Sequence, residues 1–355
     1  MNIAHQRLNN QRIIGTNFTK PQEVVAHLGA MQAQDYHMSK WAVGLRTQNA
    51  TDQTVEQALN EGLILRTHIL RPTWHLVAAQ DIRWMLALTA PHIHQISSHY
   101  NRKAELSDTL LNRTDELLAK ILTGQKHLTK AELMEELAMA GINTSAGRDS
   151  LILIHAELNG VLCNGKRYGK QTTYALLDER VAPTPAYSRE EALGMLARRY
   201  FQSHGPATVH DFTWWSGLKV SDARIGLELV KSEFITETID SHSYLLPTNT
   251  VSETSDTTFL LPAFDEFMVS YKNREASLDT SLQPAAITAN GIFKPIIVIN
   301  GKVEGLWSRT IQKEKVAIET NFFQSHFDSS LILNAIKNYA FFLQNNGSLR
   351  IRQRF

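Results

Sequence analysis

The stretch LTKAELMEELAMAGI at 128–142, with SAGRDSLILIHAELNG at 145–160 after it, decides the predicted fold. Thr129 and Glu132 have the spacing of a helix-capping box, in which each side chain bonds the backbone of the other residue. Leucines follow at the spacing of one buried helix face, and Gly141 ends the helix because glycine readily takes the left-handed backbone found there. The second stretch has similar apolar spacing and also ends in glycine. Two consecutive helices are therefore predicted.

Two short apolar strands follow these helices at 161–163 and 173–177, and an amphipathic helix at 111–122 precedes them. Three helices followed by a small hairpin are the order of a winged helix, whose third helix and hairpin, the wing, bind duplex DNA in many proteins. Other winged helices bind proteins, so the fold alone does not establish DNA binding. The tip of this predicted wing is basic, and its predicted contacts for DNA phosphates are Lys166, Arg167 and Lys170.

The same order recurs toward the carboxyl terminus. Ser188 and Glu191 form a second capping box, and Thr208 begins the next predicted helix. Hairpin strands are predicted at 233–239 and 243–247, on either side of a short polar turn. Two copies in series favour a tandem winged-helix protein over a chance match.

The amino-terminal part is a looser third copy. Helices are predicted to begin at Pro21 and Thr51, and a hairpin broken at Arg71-Pro72 takes the place of the wing. We therefore predict an α+β fold in which tandem winged-helix units precede a small carboxy-terminal antiparallel β-domain. The predicted boundaries are 1–104, 105–182 and 183–255 for the three units, and 256–355 for the β-domain with its closing helix.

The β-domain is predicted from a change in pattern. Beyond about residue 256 the chain alternates and is rich in β-branched residues, and Asn300-Gly301 is a strong hairpin signal. A closing helix is expected at 329–343. The last residues, 349–355, alternate again and carry three arginines.

Composition limits the function more weakly. The 355 residues carry a net charge of +1 and one cysteine, so neither an internal disulfide nor a thiolate metal cluster is possible. With no apolar run of bilayer length and no secretory leader, a cytoplasmic protein is expected, and we assume a monomer. Between residues 62 and 104, five basic residues stand against one acid. This cluster is either a phosphate-binding face or a set of charges neutralised by acids nearby in the fold.

Strong catalytic motifs are absent from the sequence. His92 and His94 lack a third metal ligand, so solvated or phosphate-facing histidines are expected and no metal or cofactor is predicted. In MQAQDY at 31–36, Gln32 and Gln34 point to the same side if the segment is extended. Two facing carboxamides can hold one water in a fixed orientation. The pattern by itself favours only a solvent-exposed pair.

Five segments in the same order resemble the winged-helix family that includes the AlkZ and YcaQ DNA glycosylases. They are MQAQDY (31–36), RTHILRPTWHLV (66–77), GPATVHDFTWWSGL (205–218), LLPAFDEFMVSYKNR (260–274) and VINGKVEGLW (298–307). The catalytic motif of that family is Gln-x-Gln in AlkZ-type members and Gln-x-Asp in YcaQ-type members. Gln32-Ala33-Gln34 resembles the first type, which is associated with unhooking interstrand crosslinks and removing bulky N7-alkylpurines.

The resemblance implies a DNA glycosylase with Gln32 and Gln34 as catalytic residues and no cofactor. Its implied partner is double-stranded DNA that carries alkylated or crosslinked purines. A purine alkylated at N7 is already cationic and leaves without protonation, so glutamines that only position a water are sufficient. Lys40 is the one lysine near the pair, which makes a Schiff-base lyase unfavoured and a monofunctional enzyme the expectation.

Further residues receive weaker predictions. Arg66, Arg71 and His75 are predicted DNA contacts, although a buried histidine beside Trp74 is an equal alternative for His75. Three residues are expected to support the site: Asp35, Phe264 and Asp265. Phe264 and Asp265 would brace the site or touch DNA. Asp35 could act through a water, but alternation turns it away from the glutamines, so a structural role is favoured. Trp214 and Trp215 are predicted to lie in the core.

Two functions of other classes remain open from the residues alone. A non-enzymatic winged-helix regulator would bind one duplex sequence tightly and release no base. A protein-interaction scaffold would bind DNA weakly and with little dependence on salt.

Overall fold

The computed structural model describes residues 1–248, 257–312, 315–324, 327, 329–344 and 349–354. A short helix, α1 (Ile3–Asn10), precedes three groups of helices and strands. The first group contains, in order, α2 (Pro21–Leu28), β1 (Ala30–Gln32), α3 (Tyr36–Gly44), α4 (Asp52–Asn60), β2 (Ile64–Ile69) and β3 (Arg71–Ala78).

The first group forms an antiparallel sheet in the order β1-β3-β2. The predicted helix starts at Pro21 and Thr51 are confirmed, and the Thr51 side chain accepts a hydrogen bond from the Thr54 backbone. The hairpin turns at Leu70, whose φ is 62°, one residue before the predicted break. Arg71 and Pro72 therefore lie in β3, where Arg71 is paired with Ile69.

A long helix, α5 (Ile82–Lys103), connects the first group to the second. The second group contains α6 (Asp108–Leu122), β4 (Leu128–Thr129), α7 (Lys130–Met139), α8 (Arg148–Leu158), β5 (Leu162–Asn164), β6 (Thr173–Leu176) and the single turn α9 (Leu177–Arg180). The predicted capping box of Thr129 and Glu132 is confirmed at the start of α7. Helix α8, the third of this group, packs against α5, α6, β2 and β5, and among its residues one, Ser150, is exposed.

The third group contains α10 (Arg189–His204), α11 (Val209–Ser216), α12 (Val220–Val230), β7 (Phe234–Ile239) and β8 (His242–Pro247). The capping box of Ser188 and Glu191 is confirmed, and Thr208 caps α11 as predicted. Ala207 forms an isolated bridge with Leu245 at the position of the short first strand in the other two groups. The three groups thus share one order of elements, helix, short strand, two helices and a hairpin. Unlike α8, helix α12 keeps one face exposed to solvent.

The carboxy-terminal part is built on a five-stranded sheet in the order β13-β12-β11-β10-β9. Its elements are β9 (Thr258–Leu261), α13 (Glu266–Val269), α14 (Gln283–Ala286), β10 (Ile296–Ile299), β11 (Lys302–Gln312), β12 (Lys315–Phe322), α15 (Leu333–Phe342) and β13 (Leu349–Arg354). The predicted hairpin at Asn300-Gly301 is confirmed, with φ values of 51° and 83°.

The prediction of a wholly antiparallel β-domain is wrong at its edge. Strand β13 pairs in parallel with β12, whereas the other four strands pair antiparallel. The helix α15 lies between β12 and β13 in the chain. Because this helical crossover carries the chain back along the sheet, β13 enters in the same direction as β12.

Alternate residues of the β1–β3 sheet enter two different cores. One core joins Ala30, Leu65 and Val77 to apolar side chains of α5, α10 and α11. The other joins Met31 and Leu76 to α2, α3, α4 and the carboxy-terminal sheet. The first group and the carboxy-terminal sheet therefore share a core, although they lie far apart in the sequence. Among the described helices, none has the length and apolar character to cross a membrane.

Candidate active site

Gln32 is the last residue of β1 and is held from two sides. Its backbone N–H donates to Oε1 of Glu266 at 2.5 Å, and its side-chain Oε1 accepts from Nη2 of Arg71 at 3.0 Å. The side chain is 9% exposed. Because arginine only donates hydrogen bonds, the atom of Gln32 that faces Arg71 must be the oxygen. The amide nitrogen of Gln32, which has two N–H donors, is thereby left for another partner.

Glu266 is a buried carboxylate that the sequence analysis did not single out. Besides the Gln32 N–H, it accepts hydrogen bonds from Nε1 of Trp215 at 3.1 Å and from the Ser270 hydroxyl. The His204 imidazole lies 3.6 Å away. Burial opposes ionisation, but His204 and these hydrogen bonds outweigh it and lower the pKa of Glu266 to about 2. Glu266 is therefore ionised at neutral pH and fixes the end of β1.

Gln34 lies in a very different environment from Gln32. It is exposed, in the bend between β1 and α3, and its carboxamide has no hydrogen-bond partner among the described residues. Asp35, the next residue, accepts the Met38 N–H at 3.0 Å and so caps α3. One carboxamide of the motif is thus fixed and the other is free to turn.

The segment that contains Glu266 is braced by a buried salt bridge. Asp265 binds Arg46 through both carboxylate oxygens, at 2.8 and 2.9 Å, and its side chain also caps α13. Asp265 and Arg46 are both buried, so Asp265 holds the start of α13 beside Glu266 and does not face solvent. Phe264 packs beside Phe293, with ring centres 6.2 Å apart.

Arg66 and Arg71, the two arginines predicted as DNA contacts in the first unit, both contact the motif. Arg66 donates from Nε to the Ala33 carbonyl at 3.0 Å, and its guanidinium lies 4.1 Å from the centre of the Trp74 ring. Arg71 bonds Gln32 as described. Burial lowers the pKa of both guanidinium groups.

His75 does not form part of a DNA-facing surface, so its predicted contact with DNA is corrected. It pairs with Gln32 across the β1–β3 ladder and is fully buried. Its Nδ1 bonds the Thr73 carbonyl at 2.9 Å. Burial, followed by the charge of Arg71, lowers the pKa of His75 to about 3. A neutral, enclosed imidazole cannot reach a phosphate.

The predicted basic wing divides into two kinds of residue. Lys166 and Lys170 are exposed. Arg167 is half-buried, lies 3.5 Å from a carboxylate oxygen of Glu56, and stands over the Tyr36 ring at 4.8 Å. Arg167 therefore fixes the wing to the first group, while the two lysines are available to other partners.

Lys40 is unavailable for Schiff-base chemistry. It is buried, and its Nζ donates to Asp52 and Glu56 at 2.7 Å each. An amine held in two salt bridges is not free to attack a sugar.

The prediction that Trp214 and Trp215 both lie in the core is right for one of them and wrong for the other. Trp215 is fully buried beside Glu266, as predicted for a core residue. Trp214 is 41% exposed and lines an open groove with Arg71, so its prediction as a core residue is wrong. Adjacent residues of a helix diverge by about 100°, so one tryptophan faces inward and the other outward.

Comparison with known proteins gives consistent findings. Residues 25–335 match the family model described as "DNA glycosylase AlkZ-like". The chain is 24% identical over 313 residues to the "Interstrand DNA cross-link repair glycosylase" of Streptomyces sahachiroi, covering 80% of this chain and 81% of that protein. The solved structure of the DNA glycosylase AlkZ from Streptomyces sahachiroi superposes with a TM-score of 0.83 at 20% identity. It covers 99% of this chain and 98% of that chain.

Proposed function

The chain belongs to the DNA glycosylase AlkZ-like family, and we propose that it is a monofunctional DNA glycosylase that hydrolyses the N-glycosidic bond of N7-alkylated purines. Interstrand crosslinks are included among the proposed substrates because the similar Streptomyces protein is named for their repair. The observation that carries the proposal is Gln32, fixed by Glu266 and Arg71 next to the exposed Gln34.

The two glutamines are proposed to hold the attacking water by opposite contacts. Arg71 occupies the oxygen of Gln32, so the amide nitrogen of Gln32 donates to the water oxygen. The free carboxamide of Gln34 turns its oxygen to accept a proton of the same water. The water is thereby oriented without being deprotonated by the protein.

The proposed reaction is a hydrolytic displacement at C1′ of the damaged nucleotide. The bond from C1′ to N9 breaks and its electron pair neutralises the cationic purine, while the water oxygen bonds C1′ and its proton passes to solvent. Such a reaction needs positioning and electrostatic support of an oxocarbenium-like sugar more than a strong base. Glu266 acts as a positioning residue, since its contact with the motif is made through the backbone N–H of Gln32.

DNA binding is proposed to use the three groups as tandem winged-helix units. The exposed Lys166 and Lys170 contact phosphates, which gives affinity without sequence readout and suits a protein that scans for lesions. Ser150 is the one exposed residue of helix α8, so we propose that the second unit contributes its wing and not its third helix. A monomer located in the cytoplasm remains the prediction from sequence.

The test measures alkali-labile abasic sites in three duplexes: one with N7-methylguanine, one with an N7–N7 crosslink and one undamaged. We expect release from the damaged duplexes, and a decrease of about 100-fold or more in the Gln32→Ala/Gln34→Ala variant, with duplex binding retained. Gln57→Ala, at an exposed glutamine on α4, is the matched control and should keep full activity.

Unchanged release in the double variant would contradict the proposed role of the glutamines. An absence of release from every duplex, together with tight binding of one undamaged sequence, would favour the regulator. Release from methylated DNA alone would restrict the substrate to simple lesions.

A further inference from the structure

An open groove of about 370 Å³ lies beside the candidate active site. Six residues line it, and none of them is acidic: Arg71, His210, Thr213, Trp214, Val220 and Lys272. Arg71 also bonds Gln32, so one side chain belongs to both the groove and the site. The groove is therefore a direct extension of the surface around the glutamines.

Trp214 presents a fixed aromatic surface to this groove. Its Nε1 donates to the Val269 carbonyl at 2.9 Å, and the Arg274 guanidinium lies 5.4 Å from the centre of its ring. The ring is nevertheless 41% exposed. A large aromatic side chain that is already held in place loses little conformational entropy on binding. An exposed ring of this kind can therefore contribute strongly to the affinity for a planar partner.

Gly217 fixes the position of Trp214 relative to Arg71. It ends α11 with a φ of 68°, and a Cβ there would stand 2.6 Å from the Leu70 carbonyl oxygen and 3.1 Å from Cγ of Arg71. The end of α11 therefore packs directly on the β2–β3 turn. Only glycine allows this approach without displacing the turn that carries Arg71.

The charges around the ring are positive and only partly compensated. Lys272 is exposed, and its Nζ makes no hydrogen bond or ion pair within the described residues. The nearby carboxylate of Asp211 is buried and accepts the backbone N–H groups of Lys272 and Asn273. Its charge is thus directed to the backbone and not into the groove. A stacking ring flanked by cations is the usual composition of a site for unpaired nucleic acid.

We propose that this groove binds a nucleotide that has left the base stack, with its base on Trp214 and its phosphate between Arg71 and Lys272. The proposal rests on the proposed function and names a further part of the substrate. The occupant is an unalkylated nucleotide, because the damaged nucleotide lies at the glutamines in the proposed reaction and a stacking ring accepts any base. An ordinary base is neutral, and its phosphate is attracted by the same side chains.

The test uses fluorescein-labelled, undamaged DNA in two forms, a duplex with one unpaired nucleotide and the same duplex fully paired. We expect Trp214→Ala to weaken binding of the first about tenfold and of the second less than twofold. Trp214→Phe should retain most of the affinity because it keeps a stacking ring. Tyr187→Ala, which removes an equally exposed aromatic outside the groove, is the matched control and should change neither.

Two results would overturn the proposal. One is an equal loss of affinity for both duplexes in Trp214→Ala, and the other is no loss for either. Retention by Trp214→Phe separates the loss of a stacking ring from a general loss of folding. Because the DNA is undamaged, the measurement is independent of base release. The proposed glycosylase activity and the proposed nucleotide groove can therefore be contradicted separately.

Discussion

Two regions of the molecule are proposed to act on the same substrate, and they are built in opposite ways. The anchored region (Gln32, Arg71, His75 and Glu266) is largely buried, and each residue is held by hydrogen bonds or burial. The basic wing (residues 165–172, between β5 and β6) presents Lys166 and Lys170 to solvent. Positioning a water requires fixed groups, whereas attracting phosphates requires only reach and charge. The regions should therefore respond to different perturbations.

The largest expected effect is on the pH dependence of folding in the anchored region. The pKa of His75 is lowered from 6.5 to about 3 by burial and then by Arg71. Below pH 6.5 His75 is protonated in the unfolded chain, whereas in the folded chain it stays neutral until the pH approaches 3. Its contribution to stability is thus complete above pH 6.5 and is lost as the pH falls toward 3. His75→Gln should remove about 2 kcal/mol of the decrease in unfolding free energy between pH 7 and pH 5, measured by urea unfolding.

His27 provides a comparison outside both regions. Burial lowers the pKa of His27 to about 4, and its ring packs beside Phe18. His27→Gln should therefore change the pH dependence in the same direction. An identical pH dependence in His75→Gln and the parent protein would show that His75 is not held neutral by the anchored region.

The next effect concerns the carboxylate behind the motif. Glu266→Gln keeps an oxygen that accepts the Gln32 N–H but removes the charge, and hydrogen bonds to charged groups are about twice as strong as neutral ones. We expect kcat for release of N7-methylguanine to fall about tenfold, with KM within about twofold.

Glu157→Gln is the matched control for this carboxylate. Glu157 is also fully buried, but it pairs with His68 and not with the motif. Its replacement should leave kcat unchanged. Equal losses in the two variants would mean that any buried charge has the effect, and the anchored region would then have no special role.

The smallest effect is expected in the basic wing. Replacing Lys166 and Lys170 by alanine should raise KM about threefold and reduce the slope of log affinity against log salt by about 1.8, with kcat unchanged. Lys120→Ala/Lys337→Ala, at exposed lysines on α6 and α15, is the control. A fall in kcat with an unchanged slope of log affinity against log salt would mean that the wing is part of the catalytic site. The proposed difference between the wing and the anchored region would then be wrong.

Local features of the fold were predictable because their causes are local. The capping boxes at Thr129 and Ser188 and the hairpin at Asn300-Gly301 depend on residues three or fewer positions apart. Such contacts are visible in the sequence as fixed spacings. The direction of β13 was not predictable from the sequence, because it depends on where the crossover helix α15 packs.

The candidate site was predictable only in part, for the same reason. Resemblance identified Gln32 and Gln34, but the contact between Gln32 and Glu266 joins residues 234 positions apart. The periodicity of a sequence does not indicate that an acidic residue will be buried against a residue so far away in the chain. Trp214 and Trp215 fit the same apolar pattern, yet only the packing of α11 decides which of them faces solvent.

The shared core of the first group and the carboxy-terminal sheet has a consequence for how the protein is made. A ribosome adding about 5–20 residues per second exposes β1 roughly 10 to 50 s before Glu266. During that interval the nascent chain contains Gln32 but not the carboxylate that fixes it. We therefore expect a chain that ends before Glu266 to lack the fixed Gln32 on which the proposed activity depends.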